Sequence, residues 1–497
     1  MQIVNDAIIY IIEAALGQAL SNAQVTVLSS MFISLMGALI LKLVMKPLKI
    51  PLTIQLIYIL ALGIYVFHFT WGWVWLVTLA EALISYLMVR YLSPEISHIA
   101  VFWFSMLCLS ILNVQFVLAE MGSHLQEYNP DHIGTVMVLT QRLSSLSFNI
   151  RDGIRVKNGE QVSDFRKQYA VYEIPSLLEY FAYMFSFFGI ITGPLVFYKD
   201  FVHSLAEQDS TTKQPSYPFG PVLIKTVAGV AFLGLYVFGT DVYPYTKNVD
   251  EEFMSNSEFI TRFSYLYLSM FICRTKYYGI WIMGDAIFNA AGIGYNGKSD
   301  SGKDLWDGNS NINVLGIEFA SGLKDYIDNW NIMTSKWVRL SCYERLPPKY
   351  RLPASFLLSA TWHGFFPGYY MMFFLFGFCT SIQRMWRRKF RPLFITTDAN
   401  KHLYDVITTI VTQTCVAYNV FPFMILEFGQ SMIFYRSYQY FGHFIIFGLY
   451  FLLLMTPSSK KSVNEKNKKV EDVPAISRKD TFSQGLENMS NGSVRHR

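Results

Sequence analysis

The sequence predicts an all-α fold, a polytopic bundle of transmembrane helices with re-entrant or interfacial helices around a central cavity. Three observations predict it. About eleven runs of mostly apolar residues approach the ~20 residues that a helix needs to cross a bilayer. Charged residues make up only 15% of the 497 positions, against about 25% in a domain whose surface must face water. Aromatic residues reach 16%, which fits a chain that meets lipid headgroups at many interfaces.

In chain order, residues 1–21 come first. They hold Asp6 and Glu13 and lack a basic n-region, so they do not read as a cleavable signal peptide, and the first span is expected to be an uncleaved anchor. Apolar length then predicts spans at 25–45, 51–70, 71–91, 98–119, 133–150, 175–198, 221–240, 257–291, 353–381, 404–426 and 432–455. The 257–291 run is long enough for two helices or a broken one. Residues 292–349 are polar yet carry Trp306, Trp330 and Trp337. Polar backbone at membrane depth persists only when buried in protein or lining a wet cavity, so this stretch is expected to flank such a cavity. The membrane domain is expected to run over 1–457. Residues 458–497 are rich in Lys, Ser, Asn and Glu and are expected to be a disordered tail.

Charge placement predicts orientation. Lys42, Lys46 and Lys49 follow the first span, Arg384, Arg387, Arg388, Lys389 and Arg391 follow the 353–381 run, and Lys460, Lys461, Lys466, Lys468 and Lys469 follow the last. The positive-inside rule puts all three groups, and so the tail, in the cytosol. Two sequons in the tail, at Asn488 and Asn491, would then be unused. A net charge of +5 distributed in this way suits an anionic leaflet and not nucleic acid. Cys108, Cys273, Cys342, Cys379 and Cys415 are odd in number, widely spaced and without a CxxC, which argues against a zinc site or a disulfide framework.

The strongest chemical signal is His363, in Thr361-Trp362-His363-Gly364, inside an apolar run. A titratable group at membrane depth is a functional candidate by default, and a neutral imidazole can act as a general base. The bland alternative is a histidine satisfied by a neighbouring helix. Asn331, in Trp330-Asn331-Ile332, precedes His363 by 32 residues, and its amide could hold a substrate carbonyl or hydroxyl. It could equally be a turn or capping residue. Glu81, Glu179, Arg274, Lys276 and Asp285 are charges in or near apolar runs. Arg274 and Lys276 could hold CoA phosphates, or pair internally with Asp285 or Glu179. Residues 292–299 fit GxxxxGK[ST], but no strand precedes and no helix pattern follows, so nucleotide binding is not expected. No GxSxG elbow occurs, so a serine acyl-enzyme lacks its usual context.

Together these residues resemble the membrane-bound O-acyltransferase (MBOAT) family, and within it the lysophospholipid acyltransferase branch. Trp362-His363-Gly364 with Gly368, Tyr369 and Phe373 is similar to that branch's WHGxxxGYxxxF motif. Trp306-Asp307 resembles its WD motif, and Tyr418 with Phe423 its YxxxxF motif. In the YxxxYFxxH position, Tyr435 and His443 are kept while Gln439 and Tyr440 depart from the pattern. The 175–200 stretch resembles the branch's ethanolamine- and serine-lysophospholipid acyltransferases. The resemblance implies transfer of an acyl chain from acyl-CoA to a lysophospholipid in the endoplasmic reticulum membrane, without cofactor or metal. It implies His363 and Asn331 as catalytic residues. Trp306, Asp307, Trp362, Gly364, Tyr369, Tyr418 and His443 join Arg274 and Lys276 as candidate substrate-binding residues. The headgroup is left open among ethanolamine, serine and choline. A protein or neutral-lipid acyl acceptor is the nearer alternative. A transporter is the alternative from another class, although no paired halves are visible.

Overall fold

The computed structural model describes residues 21–122, 132–205 and 217–456. The expectations for the leading segment, the 458–497 tail and its sequons fall outside the described residues. Among these residues the elements are helices and loops, with a lone β-bridge between Lys298 and Asp304. Thirteen helices of ten residues or more are α1 (Asn22–Ile40), α2 (Leu52–Trp71), α3 (Val74–Tyr91), α4 (Pro94–Glu120), α5 (Ile133–Lys157), α6 (Phe219–Val242), α7 (Phe259–Ala290), α8 (Ile332–Ser341), α9 (Pro348–His363), α10 (Pro367–Lys389), α11 (Asp398–Ile425), α12 (Phe428–Ser437) and α13 (Phe441–Met455).

Six helical stretches are long and apolar enough to cross a membrane: Ala23–Met45, which joins α1 to the π-turn after it, and α2, α3, α4, α6 and α11. The pair α12 and α13, bent by 79° at its break, raises this to seven if it counts as one span. The other four predicted runs are helical or buried but too polar or too broken for the same test, and each for its own reason.

The 133–150 run lies in α5, where every residue from Val138 to Ile150 is buried. Thr140, Gln141, Ser144, Ser145, Ser147, Asn149 and Asp152 can therefore face protein and not lipid. The 257–291 run is one unbroken helix, α7. Its polar side chains are neutralised within the protein, Asp285 by Lys225 of α6 at 2.7 Å and Arg274 by Glu318 at 2.9 Å. Helices α6 and α7 run antiparallel, since Gly229 meets Gly279 and Met283 while Gly239 meets Ile272. A Cβ on Gly279 would sit 2.9 Å from the Gly229 carbonyl oxygen, so the small pair lets the two backbones touch, as in membrane helix packing generally.

The 175–198 run corrects the expectation of a spanning helix. It forms a helix over Leu177–Met184 and then leaves helical geometry until Tyr198, although Phe185, Phe187, Phe188 and Phe197 are buried. Arg142 of α5 explains how such backbone persists. Its side chain is fully buried and Nη1 donates to the carbonyls of Tyr183 (2.8 Å), Met184 (3.0 Å) and Ser186 (3.3 Å). Nη2 donates to the Phe188 carbonyl. One guanidinium thus supplies the donors that a helix would have supplied. Each carbonyl orphaned by its removal would cost about 1–3 kcal/mol. Arg142→Met is expected to lower the apparent melting temperature of the detergent-solubilised protein by several degrees or to abolish its accumulation. A melt that matches the wild type would contradict this role.

The 353–381 run is likewise two helices. α9 ends at His363, Gly364 follows at φ 129°, ψ −162°, and α10 begins at Pro367. Only glycine adopts that conformation without strain. A Cβ there would also lie 2.7 Å from the Asn113 Oδ1 of α4. At the other end of α10, the Nζ of Lys389 donates to the Thr456 carbonyl at 2.7 Å. The Arg384–Arg391 basic cluster and the end of α13 therefore lie at the same end of the bundle.

Candidate active site

The break after α9 decides how His363 is presented. The residue stands at the last helical position, with Pro367 starting the next helix three residues past Gly364. Its imidazole lies in an aromatic box: Trp362 at 4.8 Å between ring centroids, Phe423 at 4.9 Å, Phe373 at 5.4 Å and Tyr369 at 5.7 Å. Tyr369 and Phe373 are four apart on α10 and so share a face, while Phe423 arrives from α11. Two separate motifs of the sequence thus converge on one ring. His363 has only ring contacts among the described residues, and no hydrogen bond or ion pair holds either of its nitrogens. A histidine kept for structure would be expected to have its polar atoms satisfied.

Asn331 opens α8 in the left-handed conformation, φ 46°, ψ 52°. Asparagine tolerates that region better than most residues. Its carbonyl accepts from the Ser335 N–H at 3.0 Å, the first bond of the helix. The amide therefore sits at the positive end of a ten-residue helix, where developing negative charge is stabilised.

Helix α5 holds the two halves in place. The Nε2 of Gln141 donates to Thr334 Oγ1 at 3.0 Å, three residues after Asn331. Trp337 is fully buried and its Nε1 donates to Ser144 Oγ at 2.9 Å. The Trp362 Nε1 donates to the Met137 carbonyl at 3.2 Å, and the Trp337 and Trp362 rings meet at 5.7 Å. Arg345, in the turn between α8 and α9, pairs with Asp152 of α5 at 2.8 Å. The buried polar side chains of α5 are what let it carry the helices of both candidate residues. Gln141, Ser144 and Asp152 had no motif to mark them in the sequence.

The remaining candidates fall into separate places. Tyr418 and His443 are brought together, with Tyr418 Oη 2.9 Å from His443 Nδ1 and the Tyr435 ring edge-on to His443 at 4.6 Å. This cluster shares α11 with Phe423. The departures at Gln439 and Tyr440 fall at the bend before α13, where both residues have positive φ. The Trp306 carbonyl accepts from the Lys225 Nζ at 2.7 Å, and the Asp307 Oδ1 accepts from the Asn296 Nδ2 at 2.9 Å. Both therefore belong to the polar loop and its anchor. The Lys298–Asp304 bridge closes that loop, and no helix begins between Ser299 and Val314. The internal partner of Arg274 is Glu318, neither Asp285 nor Glu179, and the pair is bidentate. A CoA phosphate would have to displace Glu318 from it. Lys276 lies over the Tyr236 ring at 5.7 Å. Glu179 forms a capping box with Ser176, and Glu81 is buried on α3. Two small cavities, one lined by Ser85, Val101 and Tyr180 and the other by Ser30, Phe187 and Gly284, contain neither His363 nor Asn331.

Comparison with known proteins agrees with the motifs. The model of the membrane-bound O-acyltransferase family matches residues 54–425. The human membrane-bound glycerophospholipid O-acyltransferase 2 is 34% identical over 472 residues, covering 90% of this chain and 89% of that protein. The mouse membrane-bound glycerophospholipid O-acyltransferase 1 is 34% identical over 429 residues, covering 82% and 86%. The Drosophila melanogaster lysophospholipid acyltransferase 6 is 32% identical over 450 residues, which cover 87% of this chain and 61% of that longer relative. The matched stretch includes every element that shapes the His363 box and the Asn331 turn, and this chain belongs to the membrane-bound O-acyltransferase family.

Proposed function

We propose that the protein transfers a fatty acyl group from acyl-CoA to the free hydroxyl of a lysophospholipid, and so remodels phospholipids in the endoplasmic reticulum membrane with its C-terminal tail in the cytosol. The relatives named for glycerophospholipid and lysophospholipid acyl transfer support the substrate class. The observation that carries the chemistry is His363, presented at a helix end with both nitrogens unengaged and fixed to the same helix as the Asn331 turn.

In the reaction, His363 takes the proton of the lysophospholipid hydroxyl as that oxygen attacks the thioester carbonyl carbon. A C–O bond forms and the carbonyl oxygen gains charge, which the Asn331 amide steadies. The tetrahedral species collapses, the C–S bond breaks, and the imidazolium returns its proton to the leaving CoA thiolate. A thioester is already activated, so the reading calls for no metal or cofactor. The aromatic walls around His363 keep bulk water from the base, which limits hydrolysis of the thioester.

The test is an acyl transfer assay on membranes that contain the protein, with radiolabelled acyl-CoA and separate ethanolamine, serine and choline lysophospholipids. Labelled diacyl phospholipid is expected from at least one of them, above membranes without the protein. Label appearing only in protein or in neutral lipid would reject the lysophospholipid reading.

A further inference from the structure

Asn311, in the polar loop before α8, is 2% exposed and makes three contacts with the segment that carries Asn331. Its carbonyl accepts from the Ile332 N–H at 2.8 Å, its Oδ1 accepts from the Met333 N–H at 2.9 Å, and its Nδ2 donates to Asn331 Oδ1 at 3.1 Å. The second contact determines the third. A backbone N–H can only donate, so the Asn311 atom facing Met333 is oxygen. The other end of the amide is then nitrogen, which can only donate, so the Asn331 atom that it meets is also oxygen. The nitrogen of Asn331 is therefore turned away from Asn311, and no partner engages it among the described residues.

We infer that Asn311 is a positioning residue: it locks the Asn331 amide with its nitrogen toward the reacting thioester, so that Asn331 donates to the developing oxyanion and does not accept from the substrate hydroxyl. This rests on the catalytic reading of Asn331 given above. Asn311 is itself anchored. The neighbouring Ser310 Oγ donates to Asp285, which the Lys225 Nζ holds at 2.7 Å while also reaching Asn289 Oδ1 (2.8 Å) and the Trp306 carbonyl (2.7 Å). The long helices α6 and α7 thereby set the place of the residue that orients the amide.

Two substitutions separate orientation from mere support. Asn311→Asp keeps an oxygen for the Met333 N–H and puts a second oxygen where the donor stood, which turns the Asn331 nitrogen inward. Asn311→Ala removes both side-chain hydrogen bonds and leaves the Asn331 amide free to adopt either orientation. Acyl transfer by the full-length protein in membranes is measured for both, alone and combined with Asn331→Gly. Asn311→Asp is expected to lower kcat about 10- to 100-fold, more than Asn311→Ala does, with KM for acyl-CoA within about twofold. In the Asn331→Gly background neither change is expected to alter kcat by more than about twofold. A supporting role alone predicts the reverse order, because Ala deletes more contacts, and predicts equal losses in both backgrounds. Either result overturns the inference, as does wild-type kcat for Asn311→Asp. If Asn331→Gly itself keeps the wild-type rate, the catalytic reading of Asn331 fails and this one falls with it. If Asn331→Gly is slow while Asn311→Asp is not, only the positioning role is lost. If Asn311→Asp does not accumulate, the Asn311→Ala loss and its disappearance in the Asn331→Gly background decide the matter.

Discussion

His363→Ala is expected to lower acyl transfer by about 10²- to 10⁴-fold, the span that a positioned general base supplies, while the protein still inserts and accumulates. The two halves of that result have separate physical grounds. The rate falls because no other described residue places a free imidazole or carboxylate in the Trp362, Tyr369, Phe373 and Phe423 box. The protein survives because the imidazole makes no hydrogen bond whose partner its loss would strand, so the penalty is packing alone and resembles a modest cavity. His363→Gln fills the box better and cannot replace the base, so it is expected to match the Ala variant in rate and the wild type in melting temperature. The measurement is initial rate per unit of membrane-inserted protein, quantified by immunoblot, with melting in detergent alongside. Turnover near the wild-type level in either variant would remove His363 from the base role. Loss of the folded protein in both would make it a structural histidine after all.

How much of this was legible in the sequence depends on which force placed each residue. The apolar helices α1 to α4, α6 and α11 were legible because lipid solvates them, and a lipid-facing helix cannot hide its composition. Helix α5 was legible as the 133–150 run but its burial was not, and the Arg142-capped segment was legible only as a span, because protein shields both. There apolar length overstates regularity, and 175–198 reads like a span while lacking a continuous helix. The break at 364 leaves no mark in the sequence for a different reason. Gly364 and Pro367 inside an apolar run are tolerated in membrane helices, and only the folded backbone, with φ 129° at the break and Asn113 packed against it, makes a glycine obligatory there.

The site followed the same division. His363 stood out by its type and setting, Phe373 and Phe423 only through the family motifs that the sequence resembles, and the fold brings them together. The pairing of Tyr418 with His443 joined two motifs that the sequence presented separately. The partners of the charges were not legible. Arg274 meets Glu318, which is 44 residues away, and Lys225 meets Asp285, which is 60 away. Such pairings depend on how helices register and not on any local pattern. Asn311 was hidden among the asparagines of 309–313, a composition that reads as a turn.

Deleting the Asn331 side chain carries the second large expected effect, and the backbone dictates how to do it. At φ 46° an alanine would pay roughly 1–2 kcal/mol that glycine does not. Asn331→Gly is therefore the cleaner removal of the amide, and Asn331→Ala adds backbone strain to the same chemical loss. Removing one oxyanion donor from an acyl transfer site lowers kcat by about 10²- to 10³-fold, and that range is expected for both variants, with Ala melting lower than Gly because it adds backbone strain to the Asn311 hydrogen bond that both lose. Asn331→Asp still accepts from Asn311 but presents oxygen to the thioester carbonyl, so it is expected to be at least as slow as Gly despite its isosteric shape. KM for acyl-CoA should move little, because the interaction forms only as the carbonyl oxygen gains charge. A rise in KM with kcat preserved would make Asn331 a ground-state binding residue. An active Asp variant would mean that the residue accepts from the hydroxyl, and the helix end beneath it would then have no part in stabilising the oxyanion.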